Sequence, residues 1–84
     1  MNSGIVELDI HGLNKRQAKN LIDSRLRTAS KGLYRLRIIH GYRMGTELRE
    51  MVRSVYKKHP KVIRLELNID PGVTDLVLKE LFKS

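Results

Sequence analysis

Three stretches of the chain alternate apolar and polar residues, and two others repeat their apolar positions at helical spacing. From Ile5 to His11, Val6, Leu8 and Ile10 fall on one side and Glu7, Asp9 and His11 on the other, as in a half-buried strand. Gly12 ends that strand, and Leu13-Asn14-Lys15-Arg16-Gln17 reads as a helix start. Asn14 is the N-cap, Gln17 completes a capping box and Leu13 serves as the hydrophobic staple. Ala18, Leu21, Ile22, Arg25, Leu26 and Ala29 recur at helical spacing, and the helix is expected to stop near Lys31-Gly32.

Leu33 to His40 is a second strand with Tyr34, Leu36, Ile38 and His40 on one face and Arg35, Arg37 and Ile39 on the other. A loop, Gly41 to Gly45, leads to Thr46, which caps a second helix striped by Leu48, Met51, Val52, Val55 and Tyr56 and broken by Pro60. Val62 to Ile69 opposes Ile63, Leu65, Leu67 and Ile69 to Arg64, Glu66 and Asn68. Asp70-Pro71-Gly72-Val73 fits a type II turn. Beyond it, Val73, Leu76, Val77 and Leu81 fit helical spacing, while Leu76 and Leu78 alternate as in a strand. The strand is preferred, because a tight turn after a strand returns an antiparallel partner. The resulting class is α/β: a β-α-β-α-β-β order forming a two-layer sandwich, with two helices on one face of a mixed four-stranded sheet. A right-handed crossover between the first two strands makes them parallel and brings both His-Gly ends, His11-Gly12 and His40-Gly41, to one rim.

The 84 residues support one domain, residues 1–84 with a core of about 5–81. Lys and Arg number 17 against 9 Asp and Glu, for a net charge of +8. That balance points to a polyanionic partner, nucleic acid or a ribosome surface. Cysteine is absent, which removes disulfides, thiolate metal sites and thiol nucleophiles and fits a reducing cytoplasm. No apolar run is long enough for a membrane span or a secretion signal. Met1 followed by Asn2 and Ser3 reads as a natural start, and a monomer is the favoured state.

Candidate chemistry gathers at the rim. Asp9 and His11 stand two apart on one strand face, about 6.6 Å along the chain, where a carboxylate orients an imidazole and raises its pKa for proton transfer. The alternative is that both decorate an open strand face. His40 adds a second imidazole, or else is a hydrogen-bonded core histidine. Gly41-Tyr42-Arg43-Met44-Gly45-Thr46 enters a helix N-terminus that can hold a phosphate. Arg43 and Arg49 add charge-assisted bonds, and Tyr42 offers a ring for a base to stack on. Arg35, Arg37 and Arg64 form a basic sheet face that tracks a phosphate backbone, or solvated cover for that face. Asp9, His11 and His40 also suffice in ligand type for a divalent metal. No cofactor is required by any motif, and phosphate-loop, dinucleotide and nucleophile-elbow fingerprints are missing. An adaptor surface using Met44, Met51 and the open sheet is a further reading.

From about Leu8 to Leu81 the chain resembles the Smr (small MutS-related) domain family. Leu8-Asp9-Ile10-His11-Gly12 is similar to its LDxHG motif and Ile38-Ile39-His40-Gly41 to the start of its (T/H)GxG motif, with Leu48-Arg49 and Val52 resembling the LRxxV-like helix. The glycines of Gly41-Tyr42-Arg43-Met44-Gly45 are spaced more widely than GxG, and the late glycine-rich stretch is reduced to Pro71-Gly72-Val73-Thr74. The resemblance implies a fold similar to the C-terminal domain of the third bacterial translation initiation factor. It also implies nucleic-acid binding, endonuclease activity in several members and binding alone in others. By the same resemblance Asp9 and His11 match the functional Asp-x-His, and His40-Gly41 the substrate loop. From the reading of the rim itself, Gly12, Gly41, Tyr42, Arg43, Gly45, Thr46 and Arg49 are expected to hold substrate or its phosphate. The leading expectation is an endonuclease acting on RNA in preference to DNA, with His11 as acid or base. The alternative is a non-catalytic nucleic-acid or ribosome binding module.

Overall fold

The computed structural model describes residues 4–43 and 45–80. The expected start at Met1, the adaptor residue Met44 and the core limit at Leu81 lie outside the described residues. The elements run β1 (Ile5–Asp9), α1 (Lys15–Arg27), β2 (Arg35–Ile39), α2 (Glu47–Tyr56), β3 (Arg64–Leu67) and β4 (Val73–Val77). The sheet order is β1-β2-β4-β3, with β1 and β2 parallel and β4 antiparallel to both its neighbours. This is the expected two-layer mixed sheet with two helices.

Asn14 caps α1 through the full reciprocal box, accepting from the Gln17 N–H at 2.8 Å while Gln17 Oε1 accepts from the Asn14 N–H at 3.1 Å. The helix ends at Arg27, short of the expected Lys31-Gly32. Two of its last four carbonyls gain donors from beyond the helix: Thr28 Oγ1 donates to Ser24 O and the Lys61 ammonium to Leu26 O, both at 3.0 Å. Thr46 stands at the N-cap of α2 but makes no side-chain cap bond, because its hydroxyl donates to Glu50 Oε2 at 3.2 Å instead.

Ala18, Ile22 and Leu26 of α1 and Val52 and Tyr56 of α2 join Leu8, Ile10, Leu36, Ile38, Val62 and Leu76 in one core. Tyr56 is fully buried, and its hydroxyl donates to Asp23 Oδ1 at 2.6 Å, tying the two helices together. β4 is central, and all five of its residues are buried. β3 is shorter than expected, and Ile63, Leu67 and Ile69 are exposed instead of core. As an edge strand, β3 overhangs the helical layer, which packs on β4.

The turn Asp70-Pro71-Gly72-Val73 closes with the Val73 N–H donating to Asp70 O at 3.1 Å. It is not type II, because Gly72 does not take the positive φ that type requires. Among the described residues, no helix is long and apolar enough to cross a membrane.

Candidate active site

Both His-Gly ends emerge side by side. Asp9 is in register with Ile39, and the Ile10 N–H donates to Ile39 O at 2.9 Å. Gly12 and Gly41 then take φ of 84° and 75°, a left-handed backbone that glycine adopts without a Cβ clash, and each turns the chain out of its strand. A Cβ placed on Gly41 would sit 3.6 Å from the His11 Cβ. An open cleft of about 700 Å³ occupies this rim. Of the expected residues, His11, Gly12, His40, Gly41, Tyr42, Arg43 and Gly45 line it. Thr46, Arg49 and Asp9 stand outside the lining, Asp9 behind His11.

The Asp9 carboxylate accepts from the His11 backbone N–H at 3.1 Å and from ring Nδ1 at 2.5 Å. A carboxylate can only accept here, so Nδ1 carries the proton and Nε2 is the basic nitrogen of the neutral ring. Nε2 has no hydrogen-bond partner among the described residues, and the side chain is 68% exposed. The His11 ring bond holds Asp9 below its ordinary 3.8. The pair therefore presents an oriented imidazole, backed by a charged carboxylate, to an open cleft.

His40 is built differently. It is 4% exposed. Nδ1–H donates to Gly41 O at 2.8 Å, which leaves Nε2 to accept from the Thr74 hydroxyl at 2.9 Å. Thr74 Oγ1 in turn accepts from Arg53 Nε at 3.3 Å. Burial pushes His40 below its ordinary 6.5; the Gly41 carbonyl opposes this, and the Arg53 and Arg49 charges reinforce it. The ring is neutral near pH 7 with both nitrogens engaged inside the fold. Asp9, His11 and His40 consequently do not converge as ligands, and among the described residues no three His, Asp or Glu side chains form a metal-holding group.

The α2 N-terminus is not the bare phosphate seat that the loop suggests. Glu47 and Glu50 occupy its first turn, where their charges already complement the helix dipole. Cationic character at the mouth comes from Arg43, whose guanidinium lies 5.8 Å from the Tyr42 ring centroid.

The family model for the Smr domain matches residues 8–70, the stretch that holds both His-Gly ends and both helices. The chain belongs to the Smr domain family. The crystal structure of the Smr domain of Thermus thermophilus MutS2 is similar, with a TM-score of 0.80 and 28% sequence identity over 89% of this chain and 99% of that one. No curated protein matches the chain significantly. Nucleic-acid binding and nuclease activity are known in the Smr family.

On the open sheet face of this Smr domain the three expected cations are paired. Asp75, 2% exposed, accepts from Arg35 Nη1 at 2.7 Å and from Arg37 Nε at 2.9 Å. Glu66 pairs with Arg35 at 2.8 Å and with Arg64 at 2.9 Å, and Arg64 also binds Glu80. Burial opposes the charged form of Asp75, but the bonds from Arg37 and Arg35 outweigh it and hold the group below its ordinary 3.8. The face is a near-neutral ion-pair lattice: Arg35 and Arg37 meet Asp75 on the neighbouring strand β4, and Arg64 meets Glu66 of its own strand and Glu80 beyond β4.

Sequence reasoning missed Glu47 and Asp70, which line the cleft, and the Arg53–Thr74 support beneath His40. Glu47 was legible one residue beyond the cap. Asp70 and Thr74 reach the site only through the β2–β4 pairing, which no local pattern displays.

Proposed function

We propose that this Smr domain is an endonuclease that cleaves phosphodiester bonds, in RNA more readily than in DNA. The observation that carries the reading is the Asp9–His11 pair, with its basic Nε2 free at an open cleft. In RNA the 2′-hydroxyl supplies an internal nucleophile. His11 Nε2 takes its proton as the 2′-oxygen bonds to phosphorus and the bond from phosphorus to the 5′-oxygen breaks. The leaving 5′-oxygen takes a proton from solvent in the open cleft, giving a 2′,3′-cyclic phosphate and a 5′-hydroxyl. Asp9 stabilises the imidazolium, and Arg43 and Arg49 offset charge on the phosphate oxygens. His40 acts as a positioning residue that fixes the Gly41 carbonyl. Nicking of DNA lacks the internal nucleophile and needs an activated water, for which a divalent metal is the usual route. The compartment that fits a cysteine-free, nucleic-acid-directed chain is the cytoplasm.

A second reading, a non-catalytic nucleic-acid or ribosome binding module, draws on the net charge of +8 and on Glu47 and Asp70 at the cleft, which lower its cationic character. One comparison separates the two. Labelled RNA and supercoiled plasmid are incubated with wild type, Asp9→Ala and His11→Ala, each with and without chelator. The endonuclease reading expects wild-type cleavage that both substitutions reduce. Binding by all three with cleavage by none supports the module, and equal cleavage by all three sinks the assignment to Asp9 and His11.

A further inference from the structure

The charge excess does not lie at the rim. Around the rim Lys15, Arg16, Arg43 and Arg49 are offset by Asp9, Glu47, Glu50 and Asp70, the open face is an ion-pair lattice, and Lys19 is paired with Asp23 at 2.8 Å. The surplus collects at the opposite end of the strands. There α1 finishes with Arg25 and Arg27 in its last turn, and Lys31 follows. Lys57, Lys58 and Lys61 follow α2 at the same end, fixed there by the bond from the Lys61 ammonium to Leu26 O at 3.0 Å. The Lys79 ammonium, donating to Lys31 O, brings in the end of β4. All of these side chains are exposed, and none has a carboxylate partner among the described residues. The nearest acid in these segments, Glu80, is bound to Arg64.

We infer that this cationic end is a second nucleic-acid contact, binding the phosphodiester backbone at a point separate from the cleft. Part of the local charge complements the C-terminal dipoles of α1 and α2, but that needs one or two cations at each helix, and Lys31, Lys57 and Lys58 exceed it. Exposed cationic side chains with no carboxylate partner among the described residues suit phosphate oxygens, and charge contacts of this kind carry no base preference. The 13 residues of α1 separate the two ends by about 20 Å at the helical rise. That distance is about six base-pair steps along a duplex, so one nucleic acid can lie across both. The inference takes its partner class from the nucleic-acid reading of the rim, but it does not depend on cleavage.

The test is the salt dependence of binding. A fluorescein-labelled RNA strand and a DNA duplex, each long enough to span both ends, are titrated with wild type and with the triple variant Lys31→Gln/Lys57→Gln/Lys58→Gln over a range of KCl. Each removed phosphate contact lowers the slope of log affinity against log salt by about 0.7 on a single strand and about 0.9 on a duplex, so a slope shallower by about 2 to 3 is expected. The corresponding triple arginine variant keeps the wild-type slope. A glutamine variant with the wild-type slope overturns the inference, as does an arginine variant that loses it, or wild type that does not bind at low salt. A shallower slope combined with no cleavage by any form sinks the endonuclease reading and leaves the second contact standing.

Discussion

The Gly72 carbonyl accepts from the His40 and Gly41 N–H groups at 2.9 and 3.0 Å, and Gly72 packs so closely on Gly41 that a Cβ would stand 3.1 Å from the Gly41 Cα. The β3–β4 turn is thereby locked to the loop that forms one wall of the cleft. Gly72 is there for close approach, since its φ lies outside the left-handed region.

Gly72→Ala is accordingly expected to force the turn away from the loop and to destabilise the domain by about 1–3 kcal/mol, the usual cost of overpacking. Gly32→Ala is the control, because a Cβ there meets nothing nearer than Ser30 Oγ at 4.0 Å; its change is expected within about 1 kcal/mol. Denaturant unfolding of both variants measures the difference, and equal stabilities would remove the packing argument.

His40 makes stability depend on pH with a defined sign. Its folded pKa lies below the ordinary 6.5, so above that pH neither state is protonated and its hydrogen bonds contribute in full. As pH falls below 6.5 toward the folded value, the unfolded chain takes up a proton that the buried ring refuses, and stability declines. Thermal unfolding between about pH 7 and 5 should show a steeper decline for wild type than for His40→Gln. Parallel curves would mean that the ring protonates in place.

Asp75 governs a lower window. Its folded pKa is also depressed, so its contribution is complete above the ordinary 3.8 and is lost as pH falls below it toward the folded value. Asp75→Ala leaves Arg37 with no carboxylate partner among the described residues and Arg35 with Glu66 alone, and should cost about 1.5–3 kcal/mol at neutral pH, the range for hydrogen bonds to charged groups. The acid limb of the wild-type curve should flatten in that variant. Denaturant unfolding at pH 7 and pH 3 checks both statements.

Local rules served well where the cause of structure is local. The Asn14–Gln17 box, the period-two strands and the two His-Gly ends were all legible, because caps, alternation and strand-ending glycines act within a few residues. The site was legible only in part. The Asp9–His11 pair is visible as two residues on one strand face. The burial of His40 depends on Thr74, 34 positions away, and the neutralisation of Arg35 and Arg37 depends on Asp75 across a strand pair. Alternation says which face a side chain takes but not which charge will stand opposite it. The exposure of Leu67 and Ile69 escaped for the same reason, since an edge position is a property of the sheet order.

The central claim is that His11, oriented by Asp9, transfers the proton during strand cleavage. The measurement that tests it most directly is the single-turnover cleavage rate of a labelled RNA at saturating protein, for wild type and His11→Ala, with binding measured in parallel. A loss of about 10²- to 10⁴-fold in rate, the usual contribution of a general acid or base, with affinity changed by less than about twofold is the predicted result. Equal rates for the two proteins would contradict it.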